Sequence, residues 1–90
     1  MSKKEADYAS LLDSLQRAKE PKERVVSYET QVPFQIEINN IKICKYLADF
    51  RVLYKDGHIE IVDVKGFRTD IYRLKKKLVE AQYGIIIQEK

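Results

Sequence analysis

Cysteine is almost absent from this sequence, and so are long apolar stretches. The single Cys44 has no second cysteine to pair with, so we expect a reducing, intracellular setting in which it packs as a small hydrophobic residue. No run of about 18 apolar residues occurs, so no membrane-spanning helix is predicted. The opening residues MSKKEADYAS are charged and lack the apolar core of a signal peptide. These absences argue against a membrane protein and against a secreted, disulfide-stabilised fold.

The sequence does contain the composition of one small globular domain. Its 90 residues are 44% hydrophobic, and neither a repeat nor a linker divides them, so we expect a single domain over residues 1–90. The net charge of +3 is mild, but residues 65–77 carry six basic side chains against Asp70 alone, a local charge of +5. Such a basic segment favours a polyanionic partner, and a solvated helix face is the alternative.

Hydrophobic periodicity and turn residues predict two helices and several strands. Ser2 and Glu5 match a capping box, Thr69 can cap the second helix, and Gly84 suits the end of that helix. The helices are predicted over residues 2–19 and 70–83, and the strands over 25–31, 34–38, 41–43, 46–54, 58–65 and 85–87. This order predicts an α/β fold in which a mixed β-sheet is flanked by an N-terminal helix and a basic C-terminal helix.

Three further details of packing follow from the pattern. Asn39-Asn40 can adopt the positive φ angles of a two-residue turn, which sets Ile36 opposite Ile43. The run of isoleucines at residues 85–87 predicts a strand buried on both faces and paired in parallel. The second helix is predicted to face inward through Ile71, Leu74 and Leu78, with Val79 as a further candidate.

The second hairpin determines whether two acids meet. A three-residue turn over residues 55–57 sets Asp49 opposite Asp63, with Lys65 on the same face. A two-residue turn would instead set Asp49 opposite Val64. The first register sets Phe50 opposite Val62, and we prefer it because it also pairs Leu53 with Ile59.

Two carboxylates directly opposite one another repel, and a cation between them removes that cost. Hard oxygen ligands suit Mg²⁺ or Mn²⁺, and Lys65 is placed to stabilise charge on a phosphate. The alternative is a pair of ordinary polar residues on a solvated sheet face. Glu5 borders the inward face of the first helix, where a carboxylate needs a partner unless it serves only as a cap. His58 stands at a turn, too far away to act as a base.

Taken in order, these segments resemble the PD-(D/E)xK nuclease superfamily. The matching motifs are Ser-x-x-Glu on the first helix, Tyr-x-Ala-Asp-Phe at residues 46–50 and Asp-Val-Lys-Gly at residues 63–66. The layout is similar to small phage proteins related to a Holliday-junction resolvase. Ala48 stands where the superfamily's proline would be, and no insert for reading a DNA sequence is evident.

The resemblance implies a restriction-endonuclease-like core and a metal-dependent endodeoxyribonuclease. It implies that Asp49, Asp63 and the Val64 carbonyl bind Mg²⁺ or Mn²⁺, and that Lys65 and Glu5 complete the catalytic set. It also implies a phage-encoded homodimer that acts on branched DNA inside a bacterial host. The basic residues expected to contact the DNA backbone are Arg68, Arg73, Lys75, Lys76 and Lys77.

Two other functions stay open from the sequence. One is a nucleic-acid-binding module that keeps the nuclease fold without turnover. The other is a structural protein in which the acids only solvate the sheet. Residues 75–77 span about 200° of a helix, so the basic side chains cannot all face one duplex.

Overall fold

The computed structural model describes residues 2–64 and 67–90. Within these ranges the elements are α1 (Lys3–Leu15), β1 (Val25–Ile38), β2 (Ile41–Tyr54), β3 (Ile59–Asp63), α2 (Asp70–Tyr83) and β4 (Ile87–Glu89). The strands form one sheet in the order β1-β2-β3-β4, antiparallel except for the parallel β3–β4 pair. The predicted α/β fold with a mixed sheet and two helices is confirmed. No helix in the described ranges is long and apolar enough to span a bilayer.

Helix α1 begins at the predicted cap and ends earlier than the predicted residue 19. The Ser2 hydroxyl accepts the backbone N–H of Glu5 at 3.3 Å. After Leu15 the next three N–H groups bond three residues back instead of four, so the α-helix tightens into a turn and stops. Leu12 is fully buried and Tyr8 packs beside it against the sheet, as the helical spacing predicted.

Strands β1 and β2 form one long hairpin in place of the shorter strands that were predicted. Asn39-Asn40 adopts φ angles of 52° and 66°, which confirms the two-residue turn. The predicted pairing of Ile36 with Ile43 is wrong. Ile36 pairs with Cys44, because the register shifts by a bulge between Ile36 and the next residue.

The hairpin between β2 and β3 has the preferred three-residue turn. Gly57 has a φ of 97°, a conformation that favours glycine, and the Tyr54 N–H donates to the His58 carbonyl at 3.0 Å. The pairs Phe50 with Val62 and Leu53 with Ile59 are found as predicted.

Two hydrophobic clusters cover the sheet. The α1 cluster comprises Leu12, Val25, Phe50, Val52, Tyr54, Val62 and Val64. The α2 cluster comprises Val32, Ile36, Tyr46, Ala48, Ile61, Tyr72, Val79 and Ile87. Ile61 and Val62 are consecutive residues of β3 and belong to different clusters, so the two clusters lie on opposite faces of the sheet.

Helix α2 has the predicted limits and part of the predicted inner face, since Val79 is buried and Leu78 packs against the α2 cluster. Thr69 caps its start and Gly84, with a φ of 66°, follows its end. Ile71 and Leu74 were predicted to face inward, yet they are 69% and 59% exposed. Tyr72 takes the inner position instead, because its ring packs in the α2 cluster while its hydroxyl reaches an acceptor on β4.

Strand β4 confirms the parallel pairing and corrects its burial. Ile61 pairs with Ile87 in parallel, and Ile87 is buried. Ile86 is 75% exposed and lies before the strand begins, so the isoleucine run is not buried on both faces. The strand is short because only three residues pair with β3.

Candidate functional site

Asp49 and Asp63 lie beside one another where β2 and β3 stop pairing through their backbones. On this side the regular backbone pairing reaches Phe50 and Val62. Beyond it, the Asp49 N–H donates to Asp63 Oδ1 at 3.2 Å, and the Val64 N–H donates to Asp49 Oδ2 at 2.9 Å. Each carboxylate thus accepts a backbone N–H across the strands. We call this arrangement of Asp49, Asp63 and Val64 the carboxylate junction.

Both carboxylates of the junction are buried, although the sequence placed them on the face away from the apolar pairs. Asp49 is 3% exposed and Asp63 is 0% exposed. Strand β4 covers one side, since Asp63 pairs with Glu89. Helix α2 packs on the face of β3 that carries Ile61 and Asp63. There, burial, the hydrogen bond to Glu89 and the charge of Asp63 together raise the pKa of Tyr72. Buried charges of this kind need hydrogen bonds, paired charges or a metal ion.

The buried side of the long hairpin changes at Asp49. Phe50 belongs to the α1 cluster and Ala48 to the α2 cluster, although residues two apart in a regular strand share a face. On β1 the change falls at Gln31, which lies between the residues paired with Phe50 and Ala48. Gln31 has a φ of 52°, a left-handed conformation that is uncommon for glutamine. The left-handed conformation of Gln31 therefore lies beside the junction, at the point where the buried face of the hairpin changes.

Gln31 is the residue that the sequence analysis missed. Its side-chain amide donates to Glu5 Oε2 at 3.2 Å, so it ties the first helix to the sheet next to Asp49. Strained backbone of this kind clusters at functional sites. The available signal was the lack of clean apolar alternation over residues 25–31, which a regular strand with one buried face would show.

Glu5 is held at the edge of this region and not inside the carboxylate junction. Its other carboxylate oxygen accepts from the Ser2 hydroxyl at 3.2 Å, so the helix-cap interpretation is supported by contact. Among the described residues, no three His, Cys, Asp or Glu side chains are placed to share one metal ion. The structure therefore brings Asp49 and Asp63 together and holds Glu5 at the edge of the region.

Lys65, the predicted catalytic lysine, lies outside the described residues. Val64, whose carbonyl was a predicted ligand, is 4% exposed. Its N–H donates to Asp49, so the chain directly before Lys65 is fixed to the junction.

The predicted DNA-contacting residues divide into two groups. Four of them line one cavity of about 290 Å³ together with Glu89: Arg68, Arg73, Lys76 and Lys77. We call this the basic cavity. Lys75 points elsewhere and donates to the Lys45 carbonyl at 3.3 Å. The helix therefore directs Lys75 away from Lys76 and Lys77, so these basic side chains do not all share one surface.

His58 is a turn residue, as its position in the sequence indicated. Its Nδ1 lies 2.5 Å from Asp56 Oδ1, and its ring stacks on Tyr54 with centroids 4.3 Å apart. The bonds from His58 lower the pKa of the Asp56 carboxyl. These contacts account for His58 within the turn.

The donor atoms of the junction fit a hard divalent cation. Mg²⁺ is commonly held by one or two carboxylates together with waters and substrate phosphates. Asp49 and Asp63 provide two buried carboxylates on adjacent strands, and the Asp49 N–H donates to Asp63 Oδ1. A carboxylate has two oxygens with about four lone-pair positions, so accepting one backbone hydrogen bond is compatible with binding a cation.

Comparison with known proteins gives a family without a described activity. Searches of curated proteins and of solved structures found no match. A family model described as a protein of unknown function, DUF1064, matches residues 1–88. The match extends over nearly the whole chain, including both acids of the carboxylate junction. The chain therefore belongs to the DUF1064 family of proteins of unknown function.

Proposed function

We propose that this protein is a metal-dependent endodeoxyribonuclease that hydrolyses phosphodiester bonds on a restriction-endonuclease-like core. The observation that carries the proposal is the pair of buried carboxylates that the carboxylate junction holds side by side on adjacent strands. Carboxylate oxygens are the ligands that Mg²⁺ and Mn²⁺ prefer. A bound Mg²⁺ or Mn²⁺ would supply the Lewis-acid chemistry that phosphodiester hydrolysis uses.

The roles of the chain's own residues follow from their positions. Asp49 and Asp63 hold the cation, with the Val64 carbonyl as a further ligand. Lys65 follows directly in the sequence and stabilises charge that develops on the phosphate. Glu5, fixed by the Gln31 amide, borders the junction and orients groups around it.

DNA is the proposed substrate, since the basic cavity lies one strand away from Asp63. Glu89 lines that cavity and pairs with Asp63 across β3 and β4. A branched DNA cut by a phage-encoded homodimer is the specific form of the proposal. Exposed isoleucines at the tip of the long hairpin support an interface between two copies: Ile38, Ile41 and Ile43.

A non-catalytic nucleic-acid-binding module is the second candidate. The observation that favours it is the pair of backbone hydrogen bonds at the junction, which gives both acids a structural role. In that case the carboxylates join two strands, and the basic cavity alone carries the function.

Cleavage assays separate the two candidates. Labelled four-way junctions and matched linear duplexes are incubated with the protein in Mg²⁺, in Mn²⁺ and in chelator, beside the Asp63→Asn and Lys65→Ala variants. The nuclease proposal predicts metal-dependent cuts that both substitutions abolish, with junctions cut faster than duplex. Asp63→Asn keeps an oxygen that can accept the Asp49 N–H, so it tests the charge without removing that hydrogen bond.

The opposite outcomes are equally specific. Binding of DNA in chelator without any cut in either metal would exclude the nuclease and support the binding module. Equal cutting of junctions and duplexes would exclude the resolvase form and leave the nuclease in place. Light scattering of the same samples tests the dimer by its mass.

A further inference from the structure

The basic cavity contains one acidic side chain of the protein itself, Glu89. One oxygen of Glu89, Oε2, accepts from Arg68 Nε at 2.7 Å and from the Tyr72 hydroxyl at 2.9 Å. The Tyr72 hydrogen bond, followed by the charge of Arg68, lowers the pKa of the Glu89 carboxyl, so this group is ionised at neutral pH. A guanidinium and a phenol directed at one oxygen form the donor set that also binds a phosphate oxygen.

The other cations of the cavity differ in how firmly they are paired. Arg73 lies 3.5 Å from Asp70, whose side chain is fully exposed, and Lys76 lies 3.2 Å from Glu80. Lys77 has no ion pair among the described residues and is exposed. The Arg73–Asp70 pair is exposed and such pairs are worth little, so a polyanion can exchange with it, whereas the Lys76–Glu80 pair is mostly buried and holds its lysine more firmly.

The position of the cavity relates it to the carboxylate junction. Glu89 and Asp63 are partners on neighbouring parallel strands, and the Lys90 N–H donates to the Asp63 carbonyl at 2.9 Å. Neighbouring strands lie about 4.8 Å apart. The cavity and the junction are therefore close enough for one DNA strand to reach both.

We infer that Arg68 and Tyr72 form a phosphate subsite that Glu89 occupies in the free protein and a DNA backbone phosphate occupies in the complex. The inference rests on the proposed substrate, DNA, and adds that the Glu89 carboxylate competes with a DNA phosphate for Arg68 and Tyr72. The Glu89 carboxylate swings away from Arg68 and Tyr72 when the phosphate enters. No covalent bond changes in this exchange.

Binding of a short labelled DNA duplex in chelator tests the subsite without any catalysis. Glu89→Gln is expected to tighten binding by roughly tenfold and to make the salt dependence steeper by about one phosphate contact, since Arg68 becomes available. The control is Glu29→Gln, which removes the same charge from the exposed Glu29–Arg51 pair, 2.5 Å between its charged atoms, outside the basic cavity. That variant is expected to change affinity by less than about twofold.

The Tyr72→Phe variant separates a subsite from a general basic surface. It removes one hydroxyl and no charge, and it is made in the Glu89→Gln background so that the hydroxyl has no carboxylate to bind. Loss of one hydrogen bond is expected to weaken DNA binding by roughly threefold to tenfold. Thermal unfolding of each variant checks that it is folded, and a variant that fails to fold is replaced by Arg68→Lys, which keeps the charge but not the guanidinium geometry.

Two results would overturn the subsite. One is equal tightening by Glu89→Gln and Glu29→Gln, which would mean that only overall charge matters. The other is unchanged affinity in both Tyr72→Phe and Arg68→Lys. A duplex with 5′-phosphate ends that binds more tightly than one with 5′-hydroxyl ends would overturn the assignment to a backbone phosphate. Failure of the nuclease proposal is read separately, from cleavage in Mg²⁺.

Discussion

The middle of the β1–β2 hairpin and its tip each contain an unusual feature. The middle buries an acidic side chain, whereas the tip exposes apolar side chains. In the middle, Asp49 is buried and Gln31 adopts a left-handed conformation. At the tip, Asn39-Asn40 adopts the same conformation, and the isoleucines beside it, Ile41 and Ile43, are 64% and 54% exposed. The backbone of the tip is the one its asparagines favour, because asparagine tolerates positive φ.

Of the two regions, the middle of the hairpin is the one whose residues conflict with the stability of the fold. At the tip, only apolar exposure is unusual, and exposed apolar residues are common in folded proteins. In the middle, a buried acid and a strained glutamine occur together beside a second buried acid, Asp63. Conflicts with local preference that fall together in this way are typical of functional sites.

The largest effect on activity is expected at the carboxylate junction. Asp63→Ala removes the acceptor of the buried Asp49 N–H, which is expected to lower the free energy of unfolding by about 1–3 kcal/mol. The nuclease proposal adds a loss of cleavage of roughly 10²-fold or more. Urea denaturation and a timed cleavage assay measure the two effects.

Asp63→Asn serves as the matched control for stability. Its amide oxygen can replace Oδ1 as acceptor, so the unfolding free energy should stay closer to that of the parent protein while cleavage is still lost. An Asp63→Asn protein that cuts DNA at the parent rate would contradict the metal-binding role.

An intermediate effect is expected from Gln31→Gly. Glycine adopts positive φ without strain, so the unfolding free energy is expected to change by no more than about 1 kcal/mol. The hydrogen bond to Glu5 is lost, and we expect cleavage to fall by about tenfold because Glu5 is no longer held. Chemical denaturation is compared with initial cleavage rates.

Asn39→Gly supplies the comparison, since its φ of 52° equals that of Gln31. This substitution relaxes the tip in the same way and should leave cleavage within about twofold of the parent, because no functional side chain is lost there. Equal activity losses at both positions would mean that Gln31 acts only through the flexibility of the hairpin.

The smallest effect on stability is expected at the tip. Ile43→Thr replaces an exposed β-branched residue by a polar one of similar shape, so the unfolding free energy should change by no more than about 0.5 kcal/mol. Ile36 lies in the same hairpin but is 1% exposed, and Ile36→Ala should cost about 2–5 kcal/mol. These values hold for the single chain in dilute solution; a cost at Ile43 that rises with protein concentration, measured in urea, would show that the proposed dimer buries the tip.

Several features of this protein could be read from local sequence because local chemistry fixes them. The caps at Ser2 and Thr69 satisfy helix N–H groups in almost any context. The three-residue turn at 55–57, preferred over a two-residue turn because it also pairs Leu53 with Ile59, predicted that Asp49 would meet Asp63. The carboxylate pair was therefore accessible from sequence.

Other features depended on contacts between distant segments. The rotation of α2, which buries Tyr72 and exposes Ile71, was decided by the acceptor that Glu89 offers on β4. The bulge after Ile36 shifted a register that strict alternation could not reveal. Periodicity describes one element at a time, and these outcomes depend on which elements become neighbours.

The sequence by itself determined the order of elements, the turns and the meeting of two acids, because these depend on residues close along the chain or on counting through a single turn. Tertiary structure decided that the acids are buried, that Gln31 holds Glu5, and that Glu89 enters the basic cavity. Those features arise where α1, α2 and β4 close over the sheet. Burial and side-chain contact belong to that closed arrangement, and no single segment contains them.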